Sequence, residues 1–383
     1  MITVPLDGSI VRGAAELEAT PRGIRPHRLP AHVRTRFPEP QLLGVEAQPA
    51  GVRVAFRTPA TCVELVLHAT RATILGVGRA RGCVDVRIDG ELHTSAELVG
   101  GDVTDTDPRT GQTTLAEGAP QSVVLEGLDA SDKLVEIWLP HTETVDLLAL
   151  HADAPVVPDA RERRRWVHHG SSISQGSNAT RPSGTWPAIA AHRGDVELRN
   201  LGFGGSAMAD PFLARVIRDA PADLISVALG INVVNADAMR RRAFVPAVHG
   251  FLDTIRDGHP DTPLVLITAI HCAIHEKTPG PGAIDPEAFA TGTLRFTASG
   301  TEGDTALGRL TLEVVRDALR EVFALRDDPN LHLLDGLELY GETDAALMPL
   351  PDGLHPGADA HELIGERFAA RVFDVGGAFA ADA

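Results

Sequence analysis

The first 152 residues alternate between apolar and polar positions in short stretches, the pattern of strands with one buried face. The clearest stretch runs from Val84 to Ile88, and the Asp89-Gly90 pair after it is typical of a tight turn between antiparallel strands. Further stretches of this kind cover residues 52–56, 63–68, 134–139 and 144–150. Because no stretch here has the length and spacing of a long helix, we predict an all-β sandwich domain.

The alternation is interrupted after residue 152. Pro155 and Pro158 precede a charged run, a composition typical of a linker between domains. We therefore predict a β-sandwich over residues 1–152, a linker over 153–164 and a second domain over 165–383.

In the second domain, short apolar runs alternate with stretches of helical spacing. Near-continuous apolar runs are typical of parallel strands that are covered on both faces. In this domain the predicted strands cover residues 166–169, 196–201, 224–229, 264–270 and 331–334. The helical stretches cover about residues 184–193, 207–219, 236–257, 305–326 and 357–373. This alternation predicts an α/β domain with a five-stranded parallel sheet.

One long segment of the second domain, residues 273–303, shows neither pattern and is rich in Gly, Pro and Thr. Segments of this length inside a compact domain are usually functional lids or disordered loops. The sequence leaves both interpretations open.

The chain has 35 basic and 52 acidic residues and a formal net charge of −17. Nucleic acids and anionic membrane surfaces are bound through basic faces, so neither is an expected partner. No apolar run has the length of a membrane-spanning helix, and the N-terminal residues lack the regions of a signal peptide. The three cysteines include no C-x-x-C pair, which favours a cytoplasmic location without disulfides.

The turn after the first strand of the second domain presents serines at the edge where open α/β sheets bind ligands. In Gly170-Ser171-Ser172, the glycine permits a tight turn and a close approach of substrate. Ser172 is therefore a candidate nucleophile. The alternative is a structural or phosphate-binding turn, although the lysine of a Walker motif is absent.

Asp352 and His355 lie together in a turn before the last helical stretch. A serine hydroxyl becomes a good nucleophile when a base removes its proton, and histidine suits this task because it titrates near neutrality. An aspartate orients the imidazole and stabilises its protonated form. The alternative for this pair is a surface loop with an Asx turn.

Acyl transfer also requires donors that are aimed at the oxyanion of the tetrahedral intermediate. The candidates are the backbone N–H groups of Ser172 and Gly205 and the side-chain amide of Asn232. Gly205 and Asn232 follow the second and third strands of the domain. The loops after successive parallel strands meet at one edge of the sheet, so these groups are expected to form one oxyanion hole.

With these elements in this order, residues from about 163 to 376 resemble the SGNH (GDSL-type) hydrolases. The family's serine, glycine, asparagine and Asp-x-x-His blocks correspond to Ser172, Gly205, Asn232 and Asp352 with His355. The resemblance implies a flavodoxin-like three-layer fold, an acyl-serine intermediate and no metal.

Two positions depart from the family pattern. Ser171 stands where the family usually has an aspartate before the nucleophile, and Val233 replaces an aspartate that often follows the asparagine. We expect Val233 to form an apolar lip beside the oxyanion hole, which would favour apolar or aromatic acyl groups. Met208 is the second expected residue of the substrate pocket.

Four other histidines have competing interpretations. His271 and His275 have the spacing of a metal-binding pair, but the segment follows a strand and lacks a helical pattern, so a pocket wall or a solvated loop is favoured. His168 and His169 are neighbours on the first strand. They are expected to point to opposite faces of the sheet and to serve as core or supporting groups.

The first domain resembles carbohydrate-binding modules. The two-domain arrangement is similar to that of acetyl-xylan-type esterases and of acyltransferases that tailor polyketides. This resemblance implies an O-acyltransferase or esterase that acts on a polyketide or sugar-like hydroxyl, with a carbohydrate O-acetyl esterase as the alternative and a non-catalytic glycan-binding protein as a remote one. A small-molecule acyl donor and acceptor are expected and no cofactor, with acyl-CoA as a suitable donor for a transferase.

Overall fold

The computed structural model describes residues 1–78 and 80–380, which form two compact units. The first consists of Met1–Glu162 and Thr180–Ser183, and the second of Arg163–Ala179 and the described residues from Gly184 onward. No helix in the described part of the chain has the length and apolar content that a membrane span requires.

The first unit consists of short strands and two short helices. Its strands are β1 (Ile2–Val4), β2 (Val11–Arg12), β3 (Glu16–Ala19), β4 (Ile24–His27), β5 (Arg53–Thr58), β6 (Cys62–Ile74), β7 (Cys83–Ile88), β8 (Glu91–Glu97), β9 (Asp102–Thr106), β10 (Thr113–Ala116), β11 (Gln121–Glu126), β12 (Lys133–Trp138), β13 (Thr144–Ala152) and β14 (Val157–Pro158). Its helices are α1 (Ala31–Arg36) and α2 (Pro40–Glu46).

These strands form two sheets that share one apolar core. The order is β10-β9-β6-β13-β4-β3 in the larger sheet, where β1 pairs with β13 and β11 with β6. It is β14-β5-β12-β7-β8 in the smaller sheet, where β2 pairs with β5. Val54 and Phe56 of β5 are fully buried in the same cluster as Leu65 of β6. The alternation along the chain therefore buries one face of each sheet against the other, as predicted for a β-sandwich.

Two segments outside residues 1–152 belong to this unit. Val157 and Pro158 of β14 pair with β5, within the segment that was predicted to be a linker. Ser183 donates its hydroxyl and its N–H to the buried carboxylate of Asp85, at 2.5 and 3.1 Å. Ordered pairing thus continues past residue 152, and the predicted domain limits stay a prediction.

The second unit alternates strands and helices. Its strands are β15 (Arg165–Gly170), β16 (Glu197–Gly202), β17 (Leu224–Ala228), β18 (Leu264–Ile267), β19 (Gly282–Ile284), β20 (Phe296–Ala298) and β21 (Leu331–Leu334). Its helices are α3 (Ser172–Gln175), α4 (Trp186–Arg193), α5 (Pro211–Asp219), α6 (Ile231–Asn235), α7 (Arg241–Gly258), α8 (Pro286–Ala290), α9 (Leu312–Ala324), α10 (Gly336–Leu339), α11 (Glu342–Leu347) and α12 (Ala358–Val372). A 3₁₀ turn covers Asp304–Leu307, and another covers Pro182–Gly184, whose first two residues belong to the first unit.

The central sheet of this unit has five parallel strands in the order β16-β15-β17-β18-β21. On one face Trp166 of β15 stacks on Phe368 of α12, with ring centroids 5.2 Å apart. On the other face His169 of β15 stacks on Phe251 of α7 at 5.8 Å. Helices therefore cover both faces, and the predicted three-layer fold with a five-stranded parallel sheet is confirmed.

Three predicted helices begin later than their apolar spacing suggested. Helix α5 begins at Pro211, and residues 236–240 form the connection between α6 and α7. Helix α9 begins at Leu312, because the hydroxyl of Thr311 caps it by accepting the N–H of Val314 at 3.3 Å. A proline in the first turn of α5 and the Thr311 cap of α9, which spacing alone ignores, thus mark where these two helices begin.

The segment of residues 273–303 is not a structureless loop. It contains β19, α8 and β20, and the two strands pair as an antiparallel hairpin. The carboxylate of Asp285 caps α8 by accepting the N–H groups of Glu287 and Ala288. Local capping and strand pairing therefore order a stretch whose composition favoured a loop.

Candidate active site

Ser172 is the first residue of α3, directly after β15. Ser171 caps this short helix, since its hydroxyl accepts the N–H of Ile173 at 3.3 Å. Gly170 is required by packing, because a Cβ there would lie 2.2 Å from Oγ of Ser174. The turn therefore holds the largely buried Ser172, 9% exposed, at the carboxyl edge of the sheet.

Ser172, His355 and Asp352 form one chain of hydrogen bonds. Nε2 of His355 lies 2.9 Å from Oγ of Ser172, and Nδ1 lies 2.8 Å from Oδ2 of Asp352. Because an ionised carboxylate only accepts, Nδ1 donates to Asp352 and Nε2 is left to accept the hydroxyl proton of Ser172. This arrangement is able to generate a serine nucleophile as an acyl carbon approaches.

Asp352 receives hydrogen bonds on both of its oxygens. Oδ1 accepts the N–H groups of Leu354 at 2.9 Å and His355 at 2.7 Å, and Oδ2 accepts Nδ2 of Asn178 at 3.0 Å besides the imidazole. Burial raises the pKa of Asp352, but the hydrogen bonds and the charge of His355 outweigh it and lower the pKa to about 2. The carboxylate is therefore ionised throughout the neutral range.

Asn178 was not among the residues predicted from the sequence. Its φ is +65°, a region that asparagine tolerates better than most residues. Its Nδ2 also lies 3.4 Å from the carbonyl oxygen of His355. A single asparagine in a polar turn carries no signal of this role, because only the fold brings it to a residue 174 positions later.

Gly205 and Asn232 are carried to the same edge of the sheet as Ser172. Strand β15 pairs with β16 on one side and β17 on the other, and these strands precede Gly205 and Asn232. Oδ1 of Asn232 accepts the N–H of Ala207 at 3.0 Å. The amide is thereby oriented with its oxygen occupied, which leaves Nδ2 as the donor for a ligand.

Val233 is fully buried in the short helix α6 and is not among the residues that line the apolar pocket of the structure. Its expected role as an apolar lip beside the oxyanion hole stays a prediction. Met208 is half-buried in the loop before α5. It is not part of the apolar pocket that the structure contains, and its contact with substrate stays a prediction.

That apolar pocket lies beside the turn that carries Ser172. Its volume is about 50 Å³, and its surface is almost entirely apolar. The residues that line it include Ile173, Trp186, Ile231, Ile270, Cys272 and Leu339. Because Ile173 follows Ser172 and Ile231 precedes Asn232, the pocket begins next to both groups. Its walls suit an uncharged, apolar ligand group.

His168 and His169 are fully buried and point to opposite faces, as expected. Nδ1 of His168 lies 2.7 Å from Oγ of Ser226, and Nε2 lies 2.7 Å from Oγ of Ser174. Burial lowers the pKa of His168 well below its usual value and that of His169 to about 4. His168 is thus a neutral link between α3 and β17.

His271 and His275 have separate partners. Nε2 of the fully buried His275 lies 3.1 Å from Oδ1 of Asn235, whereas Nδ1 of His271 lies 3.5 Å from Oε1 of Glu276. Within the described ranges, no group of three or more His, Cys, Asp and Glu side chains is arranged to hold a metal ion.

Two family models match the chain. Residues 169–363 match the GDSL-like Lipase/Acylhydrolase family, and residues 10–148 match the SsfX3 N-terminal domain. Among curated proteins, no sequence matches this chain.

Solved structures resemble the chain across both of its parts. The salicylyl-acyltransferase SsfX3 from a tetracycline biosynthetic pathway is 28% identical over 96% of this chain and 95% of its own, with a TM-score of 0.79. A Bacteroides ovatus protein described as a GDSL-like lipase is 18% identical over 94% and 93%, with a TM-score of 0.64. An active-site mutant of a family two carbohydrate esterase from Clostridium thermocellum is 13% identical over 84% and 90%, with a TM-score of 0.55. The last two support the fold alone, and the first confirms the predicted similarity to a polyketide-tailoring acyltransferase.

Proposed function

Since the chain belongs to the GDSL-like lipase/acylhydrolase family, we propose that it transfers acyl groups through Ser172, with His355 as the base and Asp352 orienting the imidazole. The hydrogen-bonded chain from Oγ of Ser172 through His355 to Asp352, with distances of 2.9 and 2.8 Å, is the observation that supports this most strongly. Each link in it has the direction that serine acylation requires.

In the first half-reaction, Oγ of Ser172 attacks the acyl carbon while Nε2 of His355 takes the hydroxyl proton. The oxyanion that forms accepts hydrogen bonds from the N–H groups of Ser172 and Gly205 and from Nδ2 of Asn232. Its collapse breaks the bond to the leaving group, which receives the proton from His355. The product is an ester on Ser172 and a neutral leaving group.

In the second half-reaction, a hydroxyl group attacks the acyl carbon of the Ser172 ester. His355 takes the proton of that hydroxyl and returns it to Oγ of Ser172 as the ester bond breaks. The attacking oxygen belongs to water in an esterase and to an alcohol in an acyltransferase. We propose an alcohol on a small molecule, supported by the 28% identity to a salicylyl-acyltransferase across both parts of the chain.

The acyl group that fits the site is uncharged and apolar. The pocket bounded by Ile173 and Ile231 offers it almost no polar partner. A charged acyl chain would lose its hydration there without replacement, at a cost of roughly 2 kcal/mol or more. An activated ester or thioester of a small apolar acid, such as an acyl-CoA, is therefore the proposed donor.

A partition assay tests the proposed function. The wild-type enzyme is acylated with 4-nitrophenyl butyrate, polyhydroxylated small molecules are added, and the products are followed by mass spectrometry. Acylated acceptor that forms faster than free butyrate supports the transferase. Free butyrate at a rate indifferent to every acceptor would instead identify an esterase, and a failure to observe an acyl group on Ser172 would contradict the proposal as a whole.

Asn232→Ala is expected to lower kcat by about 10²–10³-fold, because the variant lacks the side-chain donor to the oxyanion. KM for 4-nitrophenyl butyrate should change little, since the oxyanion exists only in the transition state. Steady-state kinetics measure both constants. A loss of less than about threefold in kcat would mean that the hole is built from other donors.

Ile270→Trp is expected to narrow the apolar pocket and to select against longer acyl groups. kcat/KM for a hexanoyl ester should fall by about tenfold or more, whereas the value for an acetyl ester should stay within about twofold. Ile270→Val, which preserves the apolar wall, is the matched control and should leave the ratio of the two values near that of the wild type. Equal losses for both esters would place the acyl chain outside this pocket.

A further inference from the structure

The β19–β20 hairpin lies in the segment whose composition favoured a lid or a disordered loop. Ala283 pairs with Thr297, and Ile284 pairs with Phe296. The N–H of Asp285 donates to the carbonyl oxygen of Arg295 at 2.8 Å. In this alternating pattern, the N–H and C=O of Phe296 point away from β19, toward the outer edge of the hairpin.

That outer edge contacts the turn that holds Asp352 and His355. The N–H of Phe296 donates to the backbone carbonyl of Asp352 at 2.7 Å. The ring of Phe296 meets the imidazole of His355 edge to face, with centroids 5.5 Å apart and planes at 79°. Phe296 thus contacts the backbone of one residue of the turn and the catalytic ring of the other.

Gly353 makes this approach possible. Its φ is +81°, and a Cβ there would lie 3.1 Å from the carbonyl oxygen of Phe296. A larger residue would therefore be strained and would push the hairpin away. The turn and the hairpin therefore contact each other through the hydrogen bond from Phe296 to Asp352 and through the close approach of Gly353.

The base of the hairpin rests on α6, the helix that begins next to Asn232. A Cβ on Gly280 would lie 1.9 Å from the carbonyl oxygen of Val234, and one on Gly282 would lie 1.9 Å from Oδ1 of Asn235. These approaches are closer than any side chain allows. The hairpin therefore contacts both helix α6, which carries Asn232, and the turn that carries Asp352 and His355.

We propose that the β19–β20 hairpin is a positioning element for the catalytic base and that Phe296 is its positioning residue. The backbone hydrogen bond fixes the Asp352 end of the turn, and the ring restricts rotation of the His355 imidazole. The ring also covers one side of the imidazole, whose side chain is 12% exposed. This inference rests on the proposed function, because it assigns to Phe296 an effect on the base of that reaction.

Phe296→Leu tests the proposal, because leucine keeps the backbone hydrogen bond and most of the apolar volume but lacks the ring. We expect kcat for 4-nitrophenyl butyrate to fall by about three- to tenfold with KM unchanged, the range of an aromatic pair contact. His355 acts in both half-reactions, so burst and steady-state rates should fall by the same factor. Phe296→Tyr should restore the wild-type rates to within about twofold.

Two further variants separate positioning from a general loss of stability. Gly280→Ala displaces the base of the hairpin, because the new Cβ would lie 1.9 Å from the backbone carbonyl oxygen of Val234, and it should reproduce the kcat loss with KM unchanged. Thr297→Ala, on the exposed neighbour of Phe296, should match the wild type. Thermal unfolding curves check that each variant is folded at the temperature of the kinetic assay.

The outcomes distinguish this inference from the proposed function. Wild-type rates in both Phe296→Leu and Gly280→Ala, with normal acylation of Ser172, would overturn the role of the hairpin alone. A raised KM with unchanged kcat would make Phe296 a substrate contact and would also overturn it. Absence of an acyl group on Ser172 in the wild type would instead remove the proposed function on which it rests.

Discussion

Ser172→Ala is expected to lower kcat for an activated aryl ester by about 10⁶-fold, the loss seen when a nucleophilic serine is removed. Oγ of Ser172 is the atom within 2.9 Å of Nε2 of His355, and alanine offers His355 no proton to take. The fold should survive, since alanine suits a helix and only this side-chain hydrogen bond is lost. Intact mass after treatment with a fluorophosphonate should show one adduct on the wild type and none on the variant.

The neighbouring serine provides the matched control. Ser171→Ala removes the cap of α3 and should cost about 1 kcal/mol of stability, yet it leaves the nucleophile in place. We therefore expect the fluorophosphonate adduct to persist in Ser171→Ala. An adduct that survives in Ser172→Ala would assign the nucleophile to another residue.

Asp352→Asn is expected to lower kcat by about 10⁴-fold without unfolding the protein. The amide oxygen can still accept the N–H groups of Leu354 and His355, which leaves the amide nitrogen facing Nδ1 of His355. Two donors cannot pair, so Nδ1 must become the acceptor and the proton must move to Nε2. The imidazole then presents a proton to Ser172 where a lone pair is needed. Steady-state kinetics measure the loss, and ¹⁵N chemical shifts of the imidazole report the change of tautomer.

Asn178→Ala is the control for this second prediction. It removes one donor to Oδ2 of Asp352 but keeps the carboxylate, so kcat should fall by about tenfold or less. A loss in Asp352→Asn no larger than in Asn178→Ala would mean that the carboxylate does not set the tautomer.

The same carboxylate links activity to the stability of the fold. Because its pKa is lowered from 3.8 to about 2, Asp352 stabilises the native state fully above pH 3.8 and progressively less as the pH falls to 2. If activity is lost on acidification while the pH is still above about 4, protonation of another group is therefore the cause.

The architecture was predictable because its signals are local. Apolar runs covered on both faces marked each parallel strand, and the order of the turns along the sheet placed Ser172, Gly205 and Asn232 at one edge. Asp352 and His355 lie close in sequence, so a single turn carries both. In the structure this turn contacts Ser172, although His355 lies 183 positions later in the sequence. The alternation of strands and helices suggested this contact but gave no distances.

The features that the sequence did not predict depend on tertiary contacts, which no local pattern records. Val233 is fully buried, and helix α6, with five residues, is too short for a spacing pattern to show which of its side chains are buried. Trp186 both packs in the core and lines the apolar pocket. Asn178 and Phe296 act on the Asp352–His355 turn from distant segments. Their roles come from tertiary packing rather than from spacing.

The position of the base late in the chain affects how the enzyme is made. Ser172 and its turn are synthesised well before Asp352 and His355, and the latter are held in place just ahead of α12, whose Phe368 packs on Trp166 of β15. Segments of a protein emerge from the ribosome in chain order. A nascent chain that has emerged only as far as β21 therefore carries the serine without its base. Such a chain lacks the base that the proposed reaction requires, so we expect acylation of Ser172 only after the turn of Asp352 and His355 has been synthesised and folded.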